Sequence, residues 1–156
     1  MLKNFVGTIW RKITPSARRK IVRATQKKFT ASVAAVIVNE NGEVLLLDHV
    51  LRPALATWGI PGGFMETGEQ PEQTVRREIR EETGLELENV KLFEVRTTSR
   101  HIEFIFRASA AGKAEAKSRE IKAAAWFKVD ELPADMSKKQ KSDIEKILQP
   151  ESNNFR

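Results

Sequence analysis

The chain contains no cysteine and no tyrosine among its 156 residues. Without cysteine there can be no disulfide framework, no zinc-thiolate centre and no thiol nucleophile. Such a composition suits a reducing compartment, so a cytoplasmic location is the expectation. Histidine is nearly as scarce. His49 and His101 are the only two, and neither falls in a Ser-His-Asp order or at zinc-ligand spacing. A GxxxxGK[ST] phosphate loop is also missing. No apolar run approaches the ~18–20 residues that cross a bilayer. The first apolar stretch is too short, and too broken by charge, for a signal peptide. There is no internal repeat and no low-complexity linker. A chain of this length with 40% apolar and 31% charged residues is expected to form one globular domain with a sizeable core.

Acid is lacking in one place only. Residues 1–28 hold nine Lys or Arg and no Asp or Glu. The rest of the chain holds the other 18 basic residues and all 21 acids, which is −3, so the net +6 belongs to this arm. Leu2, Phe5, Val6, Ile9, Trp10 and Ile13 recur at helical spacing, and Thr14-Pro15 reads as the cap and first position of a second helix. Arg18, Arg19, Lys20, Arg23, Lys27 and Lys28 charge that second helix and its exit. Three readings are open. The apolar stripe packs on the domain or on a second copy of the chain, as a homodimer; or the arm contacts RNA or an anionic substrate; or it lies on an anionic membrane surface.

The body of the chain is organised around residues 63–85, GFMETGEQPEQTVRREIREETGL. Pro71 suits the first turn of a helix and Gly84 the position just past its end. The spacing therefore predicts a helix over about 71–83. Glu78, Glu81 and Glu82 sit at i, i+3 and i+4 and share one face, an arrangement of like charges that destabilises an isolated helix. Clustered carboxylate oxygens are what hard cations such as Mg²⁺ or Mn²⁺ select. The plainer reading is a solvated acidic face paired with Arg76, Arg77 and Arg80. Val75 and Ile79 lie on another side and can pack the helix on a core.

Around this helix the pattern predicts strands at 29–39 and 43–48 joined by an Asn41-Gly42 turn. A loop follows at 49–58, then strands at 90–97, 102–108 and 123–129. A short turn near Asp130 leads to a helix at 136–148, with Ile144, Ile147 and Leu148 inward. The domain is expected at 29–148, with 149–156 frayed. Helices before, between and after mixed strands imply layers of helix, sheet and helix.

The spacing in 63–85 resembles the signature of the Nudix hydrolases at every defined position: Gly63, Glu69, Arg77-Glu78, an aliphatic residue, Glu81-Glu82, Gly84 and an aliphatic residue. Seven identities are fixed, so a chance match is on the order of one in a million or less at ordinary residue frequencies. The lead-in WGIPGG, Glu66, and the later AAWFKVDELP extend the resemblance over roughly 30–148. It implies an α/β fold, a Nudix-type α/β/α sandwich around a mixed sheet, with the basic helical arm outside it. It also tips the glutamate face toward metal binding.

The resemblance further implies Mg²⁺- or Mn²⁺-dependent hydrolysis of a diphosphate linkage in a nucleoside diphosphate derivative, such as a nucleoside triphosphate or a nucleotide sugar. Glu78, Glu81 and Glu82 match metal ligands. Gly62 and Glu120 complete the expected set, with Glu103 as the fallback for Glu120, and the general base is left open among Glu82, Glu78 and Glu120. Gly63, Glu69, Arg77 and Gly84 are expected to serve structure. Arg52, Trp58, Phe64 and His101 are the candidate substrate contacts. A nucleotide- or RNA-binding regulatory module on the same fold, or hydrolysis at RNA 5′ ends, are the alternatives. Isomerase relatives use a cysteine, which this chain lacks.

Overall fold

The computed structural model describes residues 10–51 and 57–149. The stripe residues Leu2 to Ile9, the candidate substrate contact Arg52, and all of the expected tail except Gln149 lie outside the described residues.

The arm begins, as described, with a helical turn at 10–12 and the helix α1, Pro15–Thr25. Thr14 caps α1 by accepting from the Ala17 N–H at 3.4 Å, with Pro15 at the first position. A long apolar strand, β1 (Thr30–Val38), follows and turns back at Asn39–Glu43 into β2 (Val44–His49). The Asn39 side chain closes this turn by accepting from the N–H groups of Asn41 and Glu43. Gly42 sits at φ +76, a conformation that costs glycine nothing.

The two strands pair only at Val38–Val44 and then splay apart. Two short strands fill the gap, β3 (Trp58–Gly59) against β2 and β4 (Gly62–Phe64) against β1. The sequence pattern reads this stretch as loop, because two and three residues are too few to show alternation. The wedge matters for function, since it sets the Gly62-Gly63 backbone beside the helix that follows. That helix, α2 (Pro71–Thr83), has the predicted limits. Gln73 accepts from the Gln70 N–H at its start, and Gly84 ends it at φ +74 with its N–H bonded to the Arg80 carbonyl.

Strands β5 (Glu88–Thr98) and β6 (His101–Ser109) form an antiparallel pair, and β6 runs parallel to β1 along its whole length. The seventh strand, β7 (Ile121–Phe127), pairs with the outer edge of β2. The sheet is therefore mixed. The last helix, α3 (Lys138–Leu148), starts two residues later than the pattern suggests. Ser137 caps it by accepting from the Gln140 N–H, and Met136 is buried ahead of it.

Alternation along β1 builds two cores. Val33, Ala35 and Ile37 pack with Val75 and Ile79 of α2, whereas Ala34 and Val36 pack with Ile144 and Ile147 of α3. Helices thus cover both faces, giving the expected α/β/α sandwich. Burying each such aliphatic side chain contributes about 1.5–3 kcal/mol. Asp143, on the inner side of α3, receives two hydrogen bonds of 2.7 Å from Arg96 of β5, which ties the helix to the sheet edge.

Candidate active site

Apolar residues fix which way the glutamates face. Val75 and Ile79 hold one side of α2 on the sheet, and Glu78, Glu81 and Glu82 then line a cleft beside β4. The cleft encloses about 600 Å³. Gly62, Gly63, Phe64 and Glu66 form its sheet-side wall, and Ser118 and Glu120 close it from the loop before β7. Glu120 is held there by its backbone, whose carbonyl accepts from the Val50 N–H at 2.8 Å.

Gly63 has a specific reason to be glycine. A Cβ at this position would fall within 3.0 Å of the Glu78 carboxylate. The carboxylate therefore occupies the space a side chain would take, flat against the β4 backbone. Gly62 is as restricted from another direction, because its Cβ would overlap the Val33 carbonyl and lie 2.8 Å from the Ala34 Cα.

Arg77 supplies positive charge to the cluster. Its guanidinium donates to both oxygens of Glu69, at 2.7 and 3.1 Å, to Glu78 at 3.0 Å and to Glu81 at 3.2 Å. It also reaches the Phe64 carbonyl at 3.3 Å. Glu69 accepts in addition from the Glu66 N–H and the Thr74 hydroxyl. Loop 64–69 is thereby latched to α2 through Arg77 and Glu69, the arrangement expected of a structural pair. The Arg77 hydrogen bonds, with those from Glu66 and Thr74, pull the Glu69 carboxyl down to about 2. Hydrogen bonding to Glu69 also raises the Arg77 guanidinium further above its ordinary value. Burial pushes the Glu78 carboxyl up, and Arg77 offsets only part of that effect.

Among the described residues no group of three His, Asp or Glu side chains is already gathered around one point as a metal cage. The donor chemistry nonetheless fits a hard divalent cation. Glu78, Glu81, Glu82 and Glu120 face one cleft, they offer only oxygen, and Gly63 leaves room for Glu78 to lie there.

The other candidates separate clearly. Phe64 lines the cleft and is exposed. His101 stands beside it, edge-on at 5.9 Å, with both ring nitrogens hydrogen-bonded, to Thr30 at 2.8 Å and Ser32 at 2.9 Å. Trp58 does not line the cleft. Its ring packs against Phe127 at 5.0 Å in the core under α3. Glu103 is also elsewhere, 3.6 Å from Lys139 of α3. Trp126 packs on the α2-side core and donates to the Gly112 carbonyl.

His49, Met65 and Ser118 also line the cleft and were missed by sequence reasoning. His49 follows a register shift between Asp48 and His49 in the β2–β7 pairing, and nothing in the local pattern announces that shift.

Residues 28–149 match the family model described as NUDIX domain. The chain is 37% identical over 110 residues to a MutT-like protein of Streptomyces ambofaciens, covering 69% of this chain and 70% of that protein. It is 35% identical over 106 residues to an 8-oxo-dGDP phosphatase of Homo sapiens, covering 65% of this chain but only 33% of that protein. Among solved structures, the MutT NUDIX hydrolase from Burkholderia pseudomallei superposes with a TM-score of 0.67 at 27% identity, over 78% of this chain and 99% of the other.

Proposed function

The chain belongs to the NUDIX family, and from that premise we propose that its cleft hydrolyses a diphosphate linkage in a nucleoside diphosphate derivative with Mg²⁺ or Mn²⁺. As a Nudix-type pyrophosphohydrolase it needs charge neutralisation, an oriented water and a proton acceptor. One observation carries the reading: three glutamates from one turn of α2, Glu120 from the facing loop and the Gly62-Gly63 backbone share a single cleft. The 8-oxo-dGDP phosphatase relative favours a nucleoside diphosphate as the first substrate to try.

In this scheme Glu78, Glu81, Glu82 and Glu120, with the Gly62 backbone, would hold the cation, which would neutralise phosphate charge and acidify the attacking water. Arg77 and Glu69 keep the loop and helix in register, so that Glu78 stays seated on Gly63. One of Glu78, Glu82 and Glu120 takes the proton of the attacking water. Phe64 offers an exposed ring at the rim to a substrate base, and His101 steadies it from behind. Residues 29–148 would carry this activity, without the basic residues 1–28.

The test is a panel of nucleoside diphosphate derivatives incubated with Mg²⁺ and with Mn²⁺, with products identified by mass. Turnover of one class is expected, together with a loss of several orders of magnitude in Glu81→Gln and Glu82→Gln that leaves thermal unfolding unchanged. Full activity in both variants would remove the glutamates from the mechanism. Binding without turnover would instead make the chain a regulatory module.

A further inference from the structure

Helix α1 is the strongly charged surface that the hydrolytic cleft does not use. It buries none of its eleven residues. At 3.6 residues per turn Arg19, Lys20 and Arg23 fall within about a 100° arc, and Ile21 and Val22, 40% and 42% exposed, centre on the opposite side. Arg18, three and four residues before Ile21 and Val22, shares their side of the helix but folds back along it. It donates to the Ile13 carbonyl at 2.9 Å and the Arg11 carbonyl at 2.8 Å, and its guanidinium lies 6.0 Å from the Trp10 ring centroid. These contacts brace the 10–12 turn against the start of α1, so the helix is presented on a shaped support.

We propose that α1 docks on an anionic lipid surface, with Ile21 and Val22 at the headgroup–acyl boundary and Arg19, Lys20 and Arg23 on the lipid phosphates. Charge complementarity is the first argument. Residues 1–28 carry nine cations and no acid, whereas the remainder of the chain is net −3 (18 basic, 21 acidic). An anionic leaflet therefore attracts the arm selectively. Side-chain chemistry is the second. A basic helix with exposed branched aliphatics on its opposite side is the interfacial amphipathic pattern, and long Arg and Lys stems reach phosphates from the flanks. A nucleic-acid backbone would engage the same charges but has no use for exposed Ile21 and Val22. Trp10 already has Arg18 against its ring, which leaves it a poor stacking platform for a base.

The experiment is co-sedimentation of the full chain with phosphatidylserine–phosphatidylcholine vesicles and with phosphatidylcholine vesicles alone. Each cation near an anionic leaflet is worth about fivefold in partitioning. The combined Arg19→Gln, Lys20→Gln, Arg23→Gln variant should therefore bind on the order of 100-fold more weakly. The Ile21→Ser, Val22→Ser variant should lose the binding that survives added salt, which screens only the charges. Both variants alter exposed positions and should keep the wild-type circular dichroism spectrum and diphosphate hydrolysis. Three results would overturn the proposal: sedimentation that ignores phosphatidylserine, undiminished binding by the triple variant, or capture of a single-stranded RNA oligonucleotide at a salt concentration where vesicles are not bound. The hydrolytic reading stands or falls separately, on the glutamate variants.

Discussion

Gly63→Ala should separate activity from stability. The added Cβ meets the Glu78 carboxylate inside 3.0 Å, a distance real Cβ atoms do not tolerate. What must move is the end of a flexible side chain, not backbone. Gly63 has no left-handed φ, so alanine adds no backbone strain. The displaced glutamate loses its 3.0 Å bond to Arg77 and adopts a poorer rotamer, costing about 1–2 kcal/mol. Against this, alanine restricts the unfolded chain and returns about 0.4–1 kcal/mol. The net change in unfolding free energy should stay below about 1.6 kcal/mol. The catalytic change should be far larger, because a shift of about 1 Å at a reacting group can cost about a hundredfold. Gly62→Ala is the control. Its Cβ strikes the β1 backbone at Val33 and Ala34, where nothing flexible can yield, so stability itself should fall. Urea denaturation and steady-state kinetics on both variants decide the matter. Wild-type kcat in Gly63→Ala would refute the placement of Glu78 in the mechanism, and unfolding of that variant would refute the claim that only a side chain yields.

Other expectations follow from the same contacts. Arg96→Ala should destabilise by about 2–3 kcal/mol, because Asp143 is 6% exposed and would keep only the weaker support of Lys139, 3.8 Å away, and the field of Lys146. Its kcat should be unchanged, since the pair lies on the α3 side of the sheet; a fall in kcat with normal stability would contradict this. Glu69 should stay ionised far below the ordinary carboxylate value of 4.5, titrating at about 2 in carboxyl-resolved NMR. A depressed native value means that its stabilisation is fully present above about pH 4.5 and fades as pH falls toward 2. Glu69→Gln should flatten the stability profile across that window, and an unchanged profile would count against the latch.

The parts of this molecule that were readable in the sequence are those with marked ends or sustained periodicity. Helix α2 is bounded by Pro71 and Gly84, and its limits could be read to the residue. Strands β1, β2, β5 and β6 carry enough alternation or apolar length to be found within about two residues. What stayed hidden depends on long-range register. Strands β3 and β4 exist because β1 and β2 splay beyond Val38–Val44, and no local signal encodes that splay. Trp58 looks available to a substrate base until its pairing opposite Asp48 turns it toward Phe127. His49 enters the cleft through a register shift that only the β7 pairing reveals. The motif thus specifies the chemistry in local sequence, whereas the walls around it are set by strand pairing between distant segments.

Arg77 shows how a single cation divides a carboxylate cluster into two roles. Two of its donors go to Glu69, whose oxygens are also bonded by Thr74 and Glu66, and that carboxyl is pulled down. Glu78 receives only one, in a more enclosed position, and burial pushes its carboxyl up despite the arginine. The same guanidinium therefore leaves Glu69 satisfied and Glu78 short of positive charge. A satisfied carboxylate gains little from a further cation, whereas an undersupplied one gains much. The latch and the proposed metal ligand can then sit on the same arginine without competing, because their environments, not their residue types, decide which of them a divalent cation would engage.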